Sequence, residues 1–350
     1  MEKRLCGDSG LELPLLGIGC WAFGSDRDDY WGDQDQKDVD AVVHRALELG
    51  CNYFDTAEVY NQGASEESLG KALRERRQQA IVGSKINPSN TAPETLRRHC
   101  ETSLNRLKTD YLDIYMVHWP IHPHSVRHFT DDEAIIAHPP SVEDAFSTLK
   151  TLQKEGKIRH VGVSNFGVQQ LQEALDTGVD IILEELPYSL LMRGIEPEIL
   201  PLCRKRKIGL LAYMPLMQGI LTGKYQTSKE IPESRSRTRH FPGTCAGSRH
   251  GEEGCEPELF AALDAIRKIA LEQDLEMGDL ALAWCGANPA VTSVLAGARK
   301  IEQLEANARS IQIQLDDELV ELLNKATHPV LKKLGPGPDY YESRAKSRSW

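Results

Sequence analysis

Short apolar runs alternate along this chain with longer segments in which apolar residues recur every three or four positions. The run at 13–21 is followed by a segment at 35–50 whose apolar residues share one helical face: Val39, Val42, Val43, Ala46 and Leu47. Short apolar runs indicate strands, whereas the three-and-four spacing is typical of an amphipathic helix. Gly50 is expected to end that helix, because glycine readily adopts the left-handed backbone of a helix C-terminus.

Eight such strand and helix pairs follow one another. The predicted strands lie at 13–21, 51–57, 80–86, 113–119, 158–165, 181–186, 208–216 and 291–297. The predicted helices lie at 35–50, 65–77, 92–108, 141–157, 167–178, 196–207, 257–273 and 300–311. Strands alternating with helices predict a parallel sheet. Without a glycine-rich dinucleotide-binding fingerprint, eight units favour a closed (β/α)8 TIM barrel over an open, doubly wound sheet.

Further segments are expected to extend this α/β barrel. A turn signal at 8–10 between two apolar runs predicts an N-terminal hairpin that closes the barrel bottom. We predict one barrel domain over 1–330 and a C-terminal helical tail over 331–350, which could fold over the barrel mouth, meet a neighbouring subunit or be disordered at its end. Three segments interrupt the rhythm and would form long loops at the C-terminal face and the tail: 120–140, 226–256 and 328–350.

Composition narrows the classes of partner. The 350 residues are 40% hydrophobic, enough for a large core, and the formal net charge is −11. That charge argues against a nucleic-acid or anionic-membrane surface, although a local pocket could still take an anionic small molecule. There is no run of about 18 apolar residues. Eight scattered cysteines without a CxxC pair, and a start without an apolar signal region, favour reduced thiols and a cytoplasmic location.

Four polar side chains fall at the ends of three successive predicted strands, the face on which barrels of this kind carry their chemistry. They are Asp55, Tyr60, Lys85 and His118. A buried Lys ammonium lowers the pKa of a neighbouring Tyr hydroxyl, and Asp55 could hold that ammonium in place. A neutral His118 could orient a substrate carbonyl. The set therefore suits proton donation to an oxygen during hydride transfer, with no catalytic metal.

Three of the four also have a structural alternative. Asp55 could cap the loop that follows it, and Lys85 could be an ion-pair partner at the top of the barrel. His118 could be a buried histidine with satisfied hydrogen bonds. Their appearance together at successive strand ends favours the catalytic interpretation.

The sequence resembles the aldo-keto reductase superfamily over nearly its whole length. The resemblance rests on LGIGCWAFG, FDTAEVYNQGASEESLGKAL, SLNRLKTDYLDIYMVHWP, LQKEGKIRHVGVSNF, LPYSLL, AYMPLMQGILTGKY and VLAGARKIEQLEAN. It implies a (β/α)8 barrel that interconverts carbonyls and alcohols with NADPH or NADH. The family's catalytic tetrad of Asp, Tyr, Lys and His then corresponds to Asp55, Tyr60, Lys85 and His118. The pattern is most similar to the bacterial-type branch associated with sugars or inositol.

The resemblance also implies the cofactor contacts. Ser164 and Asn165 would hold the nicotinamide carboxamide, Tyr213 would stack on its ring, and a helix start beside Arg299 suits a 2′-phosphate. NADP(H) is therefore favoured, and NAD(H) stays open. The remaining contacts would be the backbone of Leu216, Gln218 and Gly219 and the cation of Lys224 at the pyrophosphate, Gly297 at the helix start, and Gln303 and Asn307 toward the adenine.

The chain departs from the family at three places. Glu184-Glu185 stands where the family usually has Asn-Gln, so Glu185 would face the carboxamide as an acceptor that cannot donate. Ala296 replaces a frequent Pro. Ala306 replaces a frequent Glu, which removes one adenine or ribose contact.

Aromatic residues in the loops suggest the substrate wall. Trp21, Trp31 and Trp119 are its candidates, with Tyr30 beside them, and flat faces of this kind suit sugar rings and aryl carbonyls equally. In the loop 120–140, spacing such as His122-Pro-His124 could bind a metal, but a solvated loop or one that closes over substrate is favoured.

Three functions remain open at this point. The first is NADP(H)-dependent interconversion of a carbonyl and the corresponding alcohol, in which the carbonyl is a sugar-like aldehyde or ketone. The second is redox-neutral epimerisation or isomerisation of a sugar with a tightly held cofactor. The third is a cofactor-binding sensor or accessory subunit. The partner expected in the first two is a small molecule, with no nucleic acid and no membrane.

Overall fold

Eight parallel strands close into a barrel in the computed structural model, which describes residues 1–24 and 30–350. Consecutive strands pair with each other, and the last pairs with the first, with Val294 opposite Leu16. Most of their residues are buried on both faces, as expected when helices surround a parallel sheet. The strands are β3 Leu16–Gly19, β4 Tyr53–Asp55, β5 Ile81–Ile86, β6 Leu112–Val117, β7 Ile158–Ser164, β8 Ile181–Pro187, β9 Gly209–Tyr213 and β10 Val291–Ala296. The predicted TIM barrel is confirmed.

The predicted N-terminal hairpin is also present. β1 (Lys3–Leu5) and β2 (Glu12–Pro14) pair antiparallel. Cys6 and Leu13 are fully buried in a cluster with side chains from the barrel strands, among them Tyr53. The hairpin therefore packs against residues of the barrel interior.

Helices form the outer layer. α1 buries Val39, Val42, Val43 and Ala46 against the core, and Gly50 follows it with φ +76°, as the sequence pattern predicts. The helices are α1 Gln36–Glu48, α2 Ala64–Ala72, α3 Pro93–Leu107, α4 Pro123–Val126, α5 Glu133–Ala137, α6 Val142–Lys154, α7 Val168–Asp176, α8 Ile199–Arg206, α9 Glu256–Glu272, α10 Met277–Ala287, α11 Ile301–Ser310 and α12 Asp317–Leu334. Within the described ranges, no helix has the length and apolar character that crossing a membrane requires.

Three elements differ from the sequence prediction. α10 was not predicted, because its residues MGDLALAWCGA are apolar on nearly every side and show no polar face. α12 runs to Leu334, four residues beyond the predicted domain end at residue 330. The loop 120–140 contains the short helices α4 and α5, so it is more ordered than a solvated loop.

Candidate active site

A buried lysine lies at the centre of the polar groups at the barrel mouth. The Lys85 Nζ donates to Asp55 Oδ2 at 2.6 Å, to Tyr60 Oη at 3.2 Å and to the Thr56 carbonyl at 3.1 Å. Its side chain is 0% exposed. The structure therefore brings Asp55, Tyr60 and Lys85 together as predicted.

Strand register explains this convergence. Asp55 pairs with Gly83 on the neighbouring strand, and Lys85 lies two residues beyond Gly83, so both side chains point to the same side of the sheet. Tyr60 begins the short 3-10 helix Tyr60–Gly63 that follows β4, where Asn61 has a left-handed φ of 51°. A turn before this helix, in which the Tyr60 N–H donates to the Ala57 carbonyl at 3.1 Å, places Tyr60 close to the end of β4.

His118 completes the set from the end of β6. Its backbone N–H donates to the Ile86 carbonyl at 2.9 Å, and its ring lies 5.6 Å from the Tyr60 ring in an edge-on arrangement. Burial, with the Lys85 charge, lowers the pKa of His118 well below its usual value. The imidazole is therefore neutral at physiological pH, as predicted. Its buried Nδ1 has no hydrogen-bond partner among the residues described.

A second carboxylate reaches the same lysine. Glu185 Oε2 lies 3.2 Å from Lys85 Nζ, and its side chain is 3% exposed. Burial acts to lower the pKa of Lys85, but Asp55 and Glu185 outweigh it, and the pKa lies above its ordinary value. Burial and the Asp55 charge raise the pKa of Glu185 to about 8, against the opposing effect of Lys85. Glu185 is therefore an additional member of the buried charge cluster, a contact that the sequence did not predict.

The pKa of Tyr60 corrects one expectation. Lys85 acts to lower it, as predicted, but burial and the charges of Asp55 and Glu185 outweigh this effect, and the net shift is upward. The expected net lowering is therefore wrong. Because burial disfavours the phenolate, and each ionised carboxylate nearby adds to that effect, Tyr60 holds its proton more firmly than a Lys–Tyr pair alone would suggest.

The predicted carboxamide-binding residues form one hydrogen-bonded group beside this cluster. Asn165, with φ 65°, donates from Nδ2 to the His118 carbonyl and to Ser164 Oγ, both at 3.0 Å. Tyr213 Oη donates to Asn165 Oδ1 at 2.6 Å. Ser164 Oγ donates to the Glu185 carbonyl at 3.1 Å. Ser164, Asn165, Tyr213 and Glu185 therefore meet between β7, β8 and β9, next to His118.

The predicted pyrophosphate residues lie on a 3-10 helix, Met217–Thr222, that follows β9. Leu216 accepts from the Gly219 N–H at 2.9 Å, and Gln218 and Gly219 have left-handed φ values of 54° and 92°. The Lys224 ammonium lies 4.8 Å from the centre of the Tyr225 ring. These residues gather at the mouth on the β9 side, separate from the Lys85 cluster.

The residues predicted for the 2′-phosphate and adenine lie after β10, where Arg299 makes contacts that the sequence did not predict. Its guanidinium donates to the carbonyls of Trp31 and Gly32, while its own carbonyl accepts from Gln34 Nε2 at 2.9 Å. Gln303 Oε1 accepts from the Arg299 N–H at 2.9 Å. Asn307 Nδ2 donates to the Gly297 carbonyl at 3.4 Å, so these two predicted residues also contact each other.

Two of the predicted substrate residues form an aromatic group. Trp21 stacks on Tyr30 at 5.0 Å and lies 5.9 Å from Tyr60, with Trp31 edge-on at 5.5 Å. Trp119 differs, because the Arg348 guanidinium lies 3.6 Å above its ring centre. One face of Trp119 is therefore covered by the tail, whereas Trp21 lies against the Tyr60 ring.

The tail folds over the barrel mouth, one of the three arrangements left open. Arg348 makes a two-pronged ion pair with Asp339, at 2.8 and 2.7 Å, and both are buried. Ser349 Oγ donates to the Asn165 carbonyl, and the Trp350 carbonyl accepts from the Gln169 N–H at 2.9 Å. The sequence prediction missed Arg348 and Asp339 as neighbours of the site. The signal that could have indicated their ion pair was the presence of two opposite charges within a tail that also carries aromatic residues.

The histidines of the loop 120–140 contribute to this cover. The His122 ring lies 4.6 Å from the Trp350 ring, and His124 Nδ1 lies 3.2 Å from the Ser347 carbonyl. Across residues 1–24 and 30–350, no three His, Cys, Asp or Glu side chains are grouped so as to hold a metal ion.

Comparisons with known proteins agree with the barrel fold. The sequence model of the Aldo/keto reductase family matches residues 15–328. The NADH-specific methylglyoxal reductase of Escherichia coli is 32% identical, over 93% of this chain and 98% of the relative. The glycerol dehydrogenase of Gluconobacter oxydans has a TM-score of 0.73 at 27% identity, covering 96% of this chain and 97% of that structure. An aldo/keto reductase from Klebsiella pneumoniae, in complex with NADP and acetate, has a TM-score of 0.67 at 25% identity and covers 99% of both chains.

Proposed function

The chain belongs to the aldo/keto reductase family and is an NAD(P)H-dependent oxidoreductase, and from this premise we propose that it interconverts a sugar-like carbonyl and the corresponding alcohol, with NADP(H) favoured. The observation that carries the proposal is the contact of Lys85 with both Asp55 and Tyr60 beside the neutral His118. These groups can hold and move a proton at one substrate oxygen.

Tyr60 is the proposed general acid in reduction and general base in oxidation. Its hydroxyl gives its proton to the substrate oxygen as negative charge develops there, and the resulting phenolate lies 3.2 Å from the Lys85 ammonium that stabilises it. Asp55 holds the ammonium at 2.6 Å. Neutral His118 donates a hydrogen bond that orients the substrate oxygen.

The residues around the mouth fit a nicotinamide cofactor, which supplies or accepts the hydride when bound. His118 Nδ1 is buried and has no partner among the described residues, so it is available to the substrate. The amide of Asn165, which accepts from Tyr213, offers polar atoms to the carboxamide. Tyr213 would stack on the ring. The backbone of Leu216, Gln218 and Gly219, with Lys224, would bind the pyrophosphate.

Arg299 supports NADP(H) as the favoured cofactor, together with Gly297, Gln303 and Asn307 for the adenosine end. The structural neighbour from K. pneumoniae contains NADP, whereas the E. coli relative is NADH-specific, so NAD(H) remains the alternative. The stacked Trp21 and Tyr30, with Trp31 edge-on to both, support a flat-faced or sugar-like substrate. Trp119 remains a proposed substrate contact, although it is buried beneath Arg348.

A redox-neutral epimerase or isomerase is the second candidate. Contacts that link separate loops across the mouth favour it: Arg299 binds the carbonyls at 31–33, and Tyr30 Oη donates to Gln218 Oε1 at 3.0 Å. Loops linked in this way would slow the exchange of a bound cofactor. Slow exchange suits a reaction in which the same cofactor molecule takes a hydride from the substrate and then returns it.

The wider setting of the enzyme is proposed on the same basis. We infer one catalytic domain over 1–330 whose mouth is covered by the tail from 331 onward. All eight cysteine thiols are free, which supports a reducing, cytoplasmic location. The proposed partner is a small-molecule substrate.

Mass spectrometry of the purified protein, followed by a turnover screen over sugars, polyols and aldehydes, tests the function. With NADPH added, we expect one equivalent of cofactor to be oxidised for each carbonyl reduced. Product formed with no added cofactor, and with cofactor that stays bound, would select the epimerase or isomerase instead. Bound cofactor without turnover on any substrate would contradict both proposals.

A further inference from the structure

Two consecutive glutamates of β8 point to opposite faces of the strand and have different surroundings. Glu185 points to the barrel interior, 3.2 Å from Lys85 Nζ. Glu184 points to the helix layer, where its Oε1 accepts from the Phe166 N–H at 2.8 Å. Both carboxyls are buried, so the chain offers a matched pair of which one belongs to the Lys85 cluster.

The groups that face the Glu185 carboxyl carry little positive charge. Besides Lys85 on β5, these groups are Asp55 and Tyr53 on β4, Tyr60 in the turn after β4 and Tyr213 on β9. Lys85 is the cation among them. When Asp55 and Glu185 are both ionised, two negative charges share one positive charge, and the cluster carries a net charge of −1.

This excess negative charge lies beside the proposed nicotinamide site. Glu185 pairs with Ser164 in the register of β7 and β8, and its carbonyl accepts from the Asn165 N–H at 3.0 Å. Asn165 in turn binds the Tyr213 hydroxyl at 2.6 Å. Burial raises the pKa of Tyr213 and the charge of Glu185 raises it further, so the carboxylate itself lies near the residue proposed to stack on the ring.

We propose that the Glu185 carboxylate makes the site favour the oxidised form of the nicotinamide cofactor over the reduced form. The inference rests on the proposed function. When the neutral reduced ring loses a hydride, that is one proton and two electrons, to a carbonyl carbon, the ring becomes cationic. A buried carboxylate nearby stabilises that cation and leaves the neutral ring nearly unaffected. The bound reduced cofactor becomes a stronger hydride donor, which favours reduction of the carbonyl.

The same argument predicts a proton release. Burial and Asp55 raise the pKa of Glu185 to about 8, so near neutral pH the carboxyl is largely protonated. A cationic ring favours its ionised form, so binding of NADP⁺ expels part of a proton, whereas binding of NADPH does not. The affinity of the site for NADP⁺ relative to NADPH should therefore increase as the pH rises toward 9.

Equilibrium titration of NADP⁺ and of NADPH tests this proposal in the wild-type protein, in Glu185→Gln and in the matched control Glu184→Gln. The measured quantity is the ratio of the Kd for NADP⁺ to the Kd for NADPH between pH 6 and pH 9. Because both forms carry the same phosphates, the ratio cancels their titration. At pH 9 we expect Glu185→Gln to raise the ratio about tenfold, an electrostatic effect of ordinary size for a buried charge.

The controls separate the two proposals. We expect the wild-type ratio to fall with rising pH, the Glu185→Gln ratio to stay flat, and Glu184→Gln to follow the wild type. Proton release measured in weak buffer at pH 7 should accompany NADP⁺ binding only where Glu185 is present. An unchanged ratio in Glu185→Gln, or an equal change in Glu184→Gln, would overturn the inference. If the wild-type protein binds neither cofactor, the proposed function itself fails.

Discussion

Two groups of contacts at the barrel mouth are held together by different physical means. In the first, which we call the Lys85 cluster, Asp55, Lys85 and Glu185 are buried ionisable groups whose side chains project from strand ends. In the second, which we call the arginine contacts, Arg299 binds the backbone carbonyls of a neighbouring loop, and Arg348 connects the tail to Trp119 and to Asp339.

This difference indicates how each group should respond to change. Removing the cation of a buried ion pair is costly because water cannot replace it, and this applies to Lys85 and to the Arg348–Asp339 pair. The bonds of Arg299 to loop carbonyls are more exposed and can be exchanged for water at the surface. Changes in the Lys85 cluster are therefore expected to affect proton transfer and global stability. Changes in the arginine contacts are expected to affect binding and local order.

Tyr60→Phe is expected to have the largest effect. Removing the hydroxyl that donates to the substrate oxygen should lower kcat by about 10²–10⁴-fold, the usual contribution of a general acid. Cofactor affinity should change little, because the ring remains and only the hydroxyl near Lys85 is lost. Steady-state kinetics and cofactor titration on the same preparation measure both. Tyr341→Phe, whose hydroxyl contacts the Met214 sulfur at 3.8 Å, is the control. Turnover retained in Tyr60→Phe would rule out the proposed acid.

Lys85→Met should give the next largest effect, on stability. The change leaves Asp55 and Glu185 buried without their cation, and breaking a buried pair costs about 3–5 kcal/mol in the free energy of unfolding. Denaturant unfolding at pH 7 and pH 9 measures it, and the loss should be larger at pH 9, where both carboxyls are harder to protonate. Lys150→Met, on the exposed face of α6, is the matched control. A loss below about 1 kcal/mol, within the range of an exposed pair, would mean that the cluster is not held by charge.

The pH dependence of stability should separate Glu185 from surface carboxylates. Because its pKa in the folded protein is about 8, above the ordinary value of 4.5, its contribution is fully present below pH 4.5 and is lost as the pH rises through 8. Relative to Glu185→Gln, the wild-type free energy of unfolding should therefore fall by about 3 kcal/mol between pH 5 and pH 8.5. Glu302→Gln, at an exposed position of α11, should show no such slope. Parallel curves for the wild type and Glu185→Gln would contradict the assignment.

The same contrast explains what could be predicted from the sequence. Asp55, Lys85 and His118 were predictable because alternation along a short strand determines which side chains reach the mouth. Glu185 was recognised as an unusual residue, but its contact with Lys85 requires the register between β4, β5 and β8. The contacts of Arg348 with Trp119 and of Ser349 with Asn165 join residues that are far apart in sequence, and no local pattern indicates where such a tail returns.

The tail offers a test of intermediate size. Arg348→Met removes the cation above Trp119 and leaves Asp339 buried without its partner, so the tail should separate from the mouth. We expect KM for the substrate to rise about tenfold and kcat to change less, since the tetrad remains in place. Limited proteolysis should cut the tail faster than in the wild type. Lys346→Met, at an exposed position nearby, is the control. Unchanged proteolysis and unchanged KM would mean that the tail does not depend on this ion pair.

Arg299→Ala should have the smallest effect. It tests whether Arg299 binds the 2′-phosphate or only stabilises the neighbouring loop. A guanidinium that binds the 2′-phosphate contributes to NADPH affinity alone, whereas its bonds to the carbonyls of Trp31 and Gly32 stabilise a loop that either cofactor would meet. We expect NADPH binding to weaken about fivefold more than NADH binding, within the range of one charge-assisted contact. Gln34→Ala is the matched control, because it removes the bond to the Arg299 carbonyl and leaves the guanidinium, so it should weaken both cofactors equally. If Arg299→Ala also weakens both equally, Arg299 only holds the loop, and the preference for NADP(H) must come from Lys224, Gln303 or Asn307.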